Sequence, residues 1–563
     1  MDATARLRDR RGAILALSFL VFVGAFTYRF NALLGSLSGF DGDHFTFYLG
    51  STSVLRGERP LRDFVDAGLQ GAWPALAYEL SALAQRLGGE TLLSEAVLCV
   101  GAVALSATLV FRSAASIAGV WTSLAVTFLS VATGTRLYGY HKVLVSSVAV
   151  ALLLRYARVP SVRHLCLMAA WSAVAFLFRH DYLVYVALAT VCLILTLPGL
   201  PPVRRARVAL AYAALTGVLL LGPVYSVHHF VGLGNYLNSN IESTRREAER
   251  TDLEWPTFES VAGPVAFFEN EANAVSWLYY LCLLLPVAGM GVAALGQPRL
   301  PGMDVARSRA VVATLAVYAA LLNQFLLRGN LAARFGDLGA PIAVLAALLV
   351  GTAPAAVAPR VAVRAGLGVL TVAALLAVNT TGSVWQELAT TGLRRGLEAV
   401  GARAIEVASG LRDVPPSPTP APGERHRTGR WSPNVVDYLR ACTRPDDRVL
   451  VLADASEVAA FAGRPFAGGH PAFRAGYYTL PADQALTIAR LSRQSVPIVL
   501  TRDWLDYNEH IDADFDAVVA WVKERYEYSG HIQALTGGLM GVLVRREIAE
   551  SEPFGHTGLP CPY

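Results

Sequence analysis

The sequence predicts an α-helical polytopic membrane protein with a small C-terminal α/β soluble domain, and three observations predict it. Only 16% of the 563 residues are charged and 54% are hydrophobic, where a soluble globular chain carries about 25% charged residues. The deficit is uneven: residues 1–380 are mostly apolar runs, whereas 385–563 have the composition of ordinary soluble protein. The basic residues of the apolar part gather in short segments between the runs. This composition change marks a transmembrane domain over 1–380, a linker over 381–430 and an extracytoplasmic α/β domain over 431–563.

A spanning helix needs roughly 20 apolar residues. Runs at 12–30, 92–111, 116–133, 142–158, 163–178, 182–198, 207–226, 273–296, 309–327, 339–357 and 361–379 give about eleven spans. With the amino terminus in the cytoplasm, the cytoplasmic segments hold Arg6, Arg8, Arg10 and Arg11; Arg112; Arg155, Arg158 and Arg163; Arg204, Arg205 and Arg207; Arg299, Arg307 and Arg309; and Arg360 and Arg364. Each carries arginine, as orientation by cytoplasmic charge requires. Residues 31–91, 134–141, 179–181, 227–272, 328–338 and 380–563 then lie outside. The same distribution accounts for the net charge of +5 and pI near 8.8 without nucleic-acid binding. The first run meets Arg29 rather than a small-x-small cleavage pattern, so it reads as a retained span. High Ala, Gly and Arg usage points to a GC-rich bacterium, and hence to the inner (plasma) membrane.

A Pro-rich stretch at 414–430 separates the soluble part. Beyond it, RVLVLAD (448–454), PIVLT (497–501) and LMGVLVRR (539–546) read as strands, and 511–526 as a helix. Neither a phosphate loop nor a nucleophile elbow is evident there. Of the six cysteines, Cys99, Cys166, Cys192 and Cys282 lie in apolar runs as packing residues. Cys442 and Cys561 both fall in the exported region, where a disulfide can form. Cysteine and histidine spacings suggest no metal site.

Charged groups beside a membrane core are costly and tend to be functional. The first outer segment opens FDGDHFTFYLG (40–50), which puts Asp41 and Asp43 just beyond the first span. A carboxylate there can act as general base towards an acceptor hydroxyl or hold a divalent cation. The plain alternative is a solvated Asp-Gly turn. The segment continues through an apolar helix ending in LRGERP (55–60), then RDF (62–64), Asp66 and GAWP (71–74).

This succession resembles the first outer loop of the GT-C superfamily, membrane glycosyltransferases that use polyprenyl-phosphate-linked sugars, including protein O-mannosyltransferases and the lipid A aminoarabinose transferase. The resemblance covers that loop well and the rest only in general plan. It implies a catalytic acidic residue in the loop, commonly within Asp-Glu. Here the matching pair is Asp43-His44, with Phe47 where a Tyr often follows. The resemblance therefore favours Asp43 first and Asp41 second as catalytic residues. His44, Asp63 and His180 are candidates for other substrate contacts, with Asp63 and Asp66 also readable as loop-ordering groups.

Three short outer turns break the expectation that such turns lack basic residues: Arg136, His141 and Lys142; Arg179, His180 and Asp181; and Arg328 and Arg334. A lipid-linked sugar places a phosphate at headgroup level, where arginine offers a bidentate fork. A fixed cation also stabilises charge on departing phosphate. Snorkelling, or pairing with Asp181 and Asp337, is the plainer reading. In the long outer segment 227–272, His228, His229, Tyr236, Trp255 and ESTRREAER (242–250) suggest an interfacial loop.

The expected activity is transfer of a sugar from a polyprenyl-phosphate donor to a glycan, lipid or protein acceptor at the outer face, with membrane lipids as surroundings. A lipid or polysaccharide transporter or flippase predicts ionisable groups in mid-span instead. Only Glu95 and the polar pair Asn323–Gln324 answer to that, and no inverted repeat is evident. A non-enzymatic envelope assembly protein predicts no dependence on Asp43.

Overall fold

The computed structural model describes residues 3–33, 42–65, 75–133, 136–250, 255–261, 263, 266–267, 270–327, 331–351, 390–393, 395–412, 434–474, 476–502, 513–535, 538–555 and 557–563. Asp41, Asp66, GAWP (71–74), Arg328, the run 361–379 and the Pro-rich stretch 414–430 lie outside them. The chain is a mostly helical membrane protein with a small C-terminal sheet. It divides into two compact units, one of 1–33, 96–222 and 251–405, the other of 34–95, 223–250 and 406–563.

The first unit is helical. Its elements are α1 (Ala3–Asn31), α4 (Leu92–Ala115, entered from the second unit), α5 (Val120–Ala132), α6 (Tyr140–Arg158), α7 (Val162–Phe178), α8 (His180–Thr196), α9 (Pro202–Phe230), α11 (Glu271–Leu295), α12 (Val305–Leu322) and α13 (Leu331–Gly351). Among the described residues seven helices are long and apolar enough to cross a membrane: Gly12–Asn31, Leu92–Ala115, Leu137–Arg158, Pro202–Phe230, Ala272–Leu295, Val305–Leu326 and Arg334–Gly351. The runs at 116–133, 163–178 and 182–198 form shorter apolar helices, α5, α7 and α8.

Burial sorts the helices. In α6 and α13 the apolar window is 72% buried, against 17% in α1 and α9. The first two are therefore enclosed by the bundle, and the last two leave most of their apolar surface exposed. Close packing uses small residues: a Cβ on Gly289 of α11 would meet Ala316 of α12 at 3.0 Å and Leu345 of α13 at 3.1 Å. Short connections rely on side-chain caps at Ser161, Asn270 and Asp304, which accept from the amides of His164, Asn273 and Arg307. At the end of α1, Asn31 donates to the carbonyls of Thr391 and Val400 at 3.0 Å each.

The second unit contains α2 (Gly42–Leu55), α3 (Leu76–Gly88), α10 (Leu233–Arg250) and the sheet region. A four-stranded sheet has the order β1-β2-β4-β3, with β1 (Leu450–Leu452), β2 (Ile498–Arg502), β3 (Tyr526–Gln533) and β4 (Leu539–Arg545). The β1–β2 pair is parallel, with Leu450 opposite Val499, and the other pairings are antiparallel. The three strands expected from sequence are present. Sequence reading missed β3, whose segment YEYSGHIQ alternates poorly and breaks register between Tyr528 and Gly530. Its core joins Leu450, Leu452, Val499, Phe473, Phe515 and Val518.

Within this unit α2 packs on α3, where a Cβ on Gly50 would stand 2.4 Å from the Tyr78 ring, so only glycine admits that ring. The α2 helix also meets α16 (Ser456–Ala462) through Phe45 and Phe461, with ring centroids 5.2 Å apart. The segment 227–272, expected as a loop, contains the amphipathic helix α10.

Cys442 and Cys561 form a disulfide across 119 residues of sequence, beside the Tyr438 hydroxyl that donates to the Pro560 carbonyl at 2.7 Å. The bond ties the C-terminal tail to α15 (Val435–Cys442). Replacing both cysteines by serine is expected to lower the stability of the sheet region by roughly 2–5 kcal/mol. Thermal unfolding and limited proteolysis of the purified protein in detergent check this; unchanged proteolysis would show that the bond is dispensable.

Candidate functional site

The cations from the turns expected to lie outside meet at one end of the helical unit. A 3-10 turn, Leu137–Gly139, leads directly into α6, so Lys142 sits in that helix's first turn. Arg179 is the one extended residue between α7 and α8. A second 3-10 turn, Asn323–Leu327, presents Phe325, and α13 presents Arg334 and Asp337. Lys142 Nζ donates to Asp337 Oδ2 at 2.6 Å, with both side chains 4% exposed. Arg334 lies 3.9 Å from the same oxygen. Arg179 forks onto Asp181 at 3.0 and 2.8 Å.

One aromatic ring links these pairs. Lys142 Nζ lies 5.8 Å and Arg179 Cζ 5.9 Å from the Phe325 centroid. Arg136 donates to the Tyr138 hydroxyl at 2.9 Å, and Lys142 stands 5.8 Å from the Tyr138 ring. The neighbouring His141 stacks on Phe178 at 5.9 Å. His180 opens α8, half-buried. Among the described residues the cluster sets Arg136, Lys142, Arg179 and Arg334 against Asp181 and Asp337, a formal excess of two positive charges. Pairing with Asp181 and Asp337, expected as the plainer reading, does occur.

Next to these residues in the chain, α13 lines an apolar cleft with α5 and α11. Phe335, Leu338, Ile342 and Ala346 form its α13 stripe, and Leu129, Leu278 and Leu285 face them. The stripe begins beside Arg334 and Asp337, so polar headgroup chemistry and apolar lining share one helix end.

Asp43 occupies a different setting, inside the second unit. It stands in the first turn of α2, where the helix N-terminus favours negative charge. Arg474, 14% exposed, pairs with Asp43 and donates from Nε to Asp454 at 3.0 Å. Burial works against that guanidinium's charge, but Asp43 and Asp454 outweigh it and raise its pKa. A guanidinium on the carboxylate opposes the divalent-cation role considered for Asp43. Arg474 and Asp454 were not singled out in the sequence, because AFRAGYY (472–478) carries no spacing that pairs it with a residue over 400 positions earlier.

His44 points into the unit, 1% exposed, with Nε2 at 3.6 Å from Glu95. Desolvation lowers its pKa to about 3, and Asp43 only partly resists this. It is thus neutral at physiological pH. Ser81 donates to Glu95, and Gln85 donates to Ser51 and, at 3.3 Å, to Ser81, forming a buried polar chain behind α2. Asp63 orders its own turn: it accepts from the Arg59 amide at 2.7 Å and from Arg62 Nε.

The groups that suggested a transport path are at helix ends. Glu95 is in the first turn of α4. Asn323 donates to the Cys282 carbonyl at 2.7 Å, and Gln324 donates to the Tyr185 hydroxyl.

No family model matches the chain, and no curated protein matches it. Among solved structures it is similar to ArnT from Cupriavidus metallidurans in the apo state, at 11% identity over 96% of this chain and 98% of that one, with a TM-score of 0.49. It is similar also to ArnT from the same organism bound to undecaprenyl phosphate, at 13% identity, 96% and 98% coverage and a TM-score of 0.47.

The buried histidines of the second unit make its stability acid-sensitive. His470, whose Nε2 meets Thr487 at 2.9 Å, is lowered by burial and then by Arg490 to about 3. An unfolded histidine takes a proton near pH 6.5. Between 6.5 and about 3 the unfolded chain therefore binds more protons than the fold, so stability falls as pH falls. Each histidine contributes a loss of up to about 1.4 kcal/mol per pH unit in that window and none above it. Chemical unfolding in detergent at pH 7.5, 6 and 5 measures this. His470→Gln is expected to flatten the dependence, and an equally steep variant would exclude His470 as its source.

Proposed function

We propose that this chain is a membrane glycosyltransferase. It moves a sugar from a polyprenyl-phosphate donor to an envelope glycan, lipid or protein acceptor at the outer face. The observation that carries this reading is the convergence of Arg136, Lys142, Arg179 and Arg334 from separate turns beside an apolar cleft. A cationic cluster suits a phosphate, and the cleft suits the isoprenoid attached to it. The GT-C-like character of the first outer loop supports the same chemistry from an independent part of the sequence.

Arg179, Lys142 and Arg334 bind the donor phosphate, with Arg136 on the rim. Asp43 takes the proton of the acceptor hydroxyl as the hydroxyl oxygen attacks the anomeric carbon. The bond from that carbon to the phosphate oxygen breaks, and polyprenyl phosphate departs with the bonding electrons. A single displacement of this kind inverts the anomeric centre. Arg474 pairs with the Asp43 carboxylate and holds it in place. The arginine pattern of the cytoplasmic segments supports an inside amino terminus, and the Cys442–Cys561 bond supports an oxidising compartment for the sheet domain. The transporter reading is weakened because Glu95, Asn323 and Gln324 are engaged at helix ends rather than along a path.

Asp43→Asn is expected to lower transfer by about 10²–10⁴-fold, the range for a lost general base, with donor binding retained. Arg179→Gln is expected to lower turnover by about 10²–10³-fold, as for a lost transition-state donor, and to weaken retention of polyprenyl phosphate. Both are read with radiolabelled lipid donor in proteoliposomes. Wild-type turnover in Asp43→Asn would remove that residue from the role. A structural control separates packing from binding: Asp337→Asn strands a buried lysine and should cost roughly 3–5 kcal/mol, whereas Lys142→Met with Asp337→Leu should restore much of that stability. If the double variant also bound and transferred normally, the pair would be purely architectural.

A further inference from the structure

Only Val231 and Gly232 separate α9, which carries a candidate span, from α10. Two residues reach roughly 7 Å when fully extended. The lipid-type exposure of α9 continues almost to its end, with Leu221 66% and Tyr225 67% exposed. The first turn of α10 is thus held close to the level at which the span leaves the membrane.

The face of α10 fits that location. Leu233, Leu237 and Ile241 are 39%, 51% and 66% exposed. At 3.6 residues per turn they form one stripe about 80° wide. Asn235 and Ser239 lie on the far side of the helix, about 200–240° from Leu233. There they are committed: Asn235 Nδ2 donates to Asp483 Oδ1 at 2.9 Å, and Ser239 Oγ donates to Asp483 Oδ2 at 2.7 Å. Asp483, 6% exposed, stands in the first turn of α17 (Pro481–Leu491), a helix of the sheet region. All these residues belong to one compact unit.

We propose that α10 lies in the headgroup boundary of the membrane on Leu233, Leu237 and Ile241, and tethers the sheet domain to that surface through the Asn235/Ser239–Asp483 clasp. The occupant of the apolar stripe is lipid, because the preceding span delivers the helix to the bilayer edge. Such a helix buries its apolar side by about 5–10 Å. The proposal stands whether or not the chain transfers sugars.

Single cysteines at 233, 237, 241 and 238, in a protein lacking its free cysteines but keeping the disulfide, would carry an environment-sensitive fluorophore. The protein is placed in nanodiscs of phosphatidylethanolamine and phosphatidylglycerol containing a doxyl-labelled lipid. Labels at 237 and 241 should be quenched by the lipid, and the label replacing Asn238 should instead be quenched by aqueous iodide. Iodide quenching at 237 and 241 without lipid quenching would overturn the membrane contact. For the clasp, Asn235→Ala with Ser239→Ala should speed amide hydrogen exchange across 481–491 while lipid quenching at 237 persists. Unchanged exchange there would overturn the tether, and Asp483→Asn, which keeps the side chain's size, repeats the test from the other partner.

Discussion

A charge at the end of a helical bundle must be compensated or it drives the helices apart, and the Lys142–Asp337 contact is where this chain meets that constraint. Both groups are almost fully buried. Removing such charges from water costs several kcal/mol per ion, so the pair persists only with close geometry and further partners. Its place joins the start of α6 to α13, the two most enclosed spans. Arg334 then shares the Asp337 carboxylate, and the Phe325 ring stands near both Lys142 and Arg179. Asp337 is thus divided between two cations, which ties α6 and α13 at that end of the bundle.

The acidic site is built on the opposite principle. Asp43 is given a cation, Arg474, that is itself shared with Asp454. His44 contributes no charge to that balance, since burial keeps its imidazole neutral.

Apolar runs were legible because a bilayer imposes a length on each of them, and ten of the eleven fall on described helices. The strands at 450–452, 498–502 and 539–545 were legible as short apolar runs; β3 was not, because its burial alternates irregularly across a bulge. In the cation cluster the residue types were legible as violations of the charge rule, while Phe325 and Tyr138 looked like ordinary apolar positions. Arg474 was invisible because its contact with Asp43 depends on tertiary folding over most of the chain's length. The amphipathic helix α10 was hidden for a different reason: its polar face and charged run resemble a solvated loop when read without the 3.6-residue period.

One-sidedness bears on the competing functions. A transporter must offer polar groups at successive depths so that cargo exchanges partners as it moves. Here the charged residues of the cluster sit at the turns: Lys142 in the first turn of α6, Arg179 between two helices, and Arg334 and Asp337 in the first turns of α13. Deeper along α13 the stripe through Leu338, Ile342 and Ala346 is apolar. On the proposed reading a lipid-linked anion settles there with its headgroup at the cations and its tail along the cleft, and the described part of α13 beyond Asp337 carries no charged side chain. On the proposed reading, that arrangement suits a site that holds a lipid for reaction at one face.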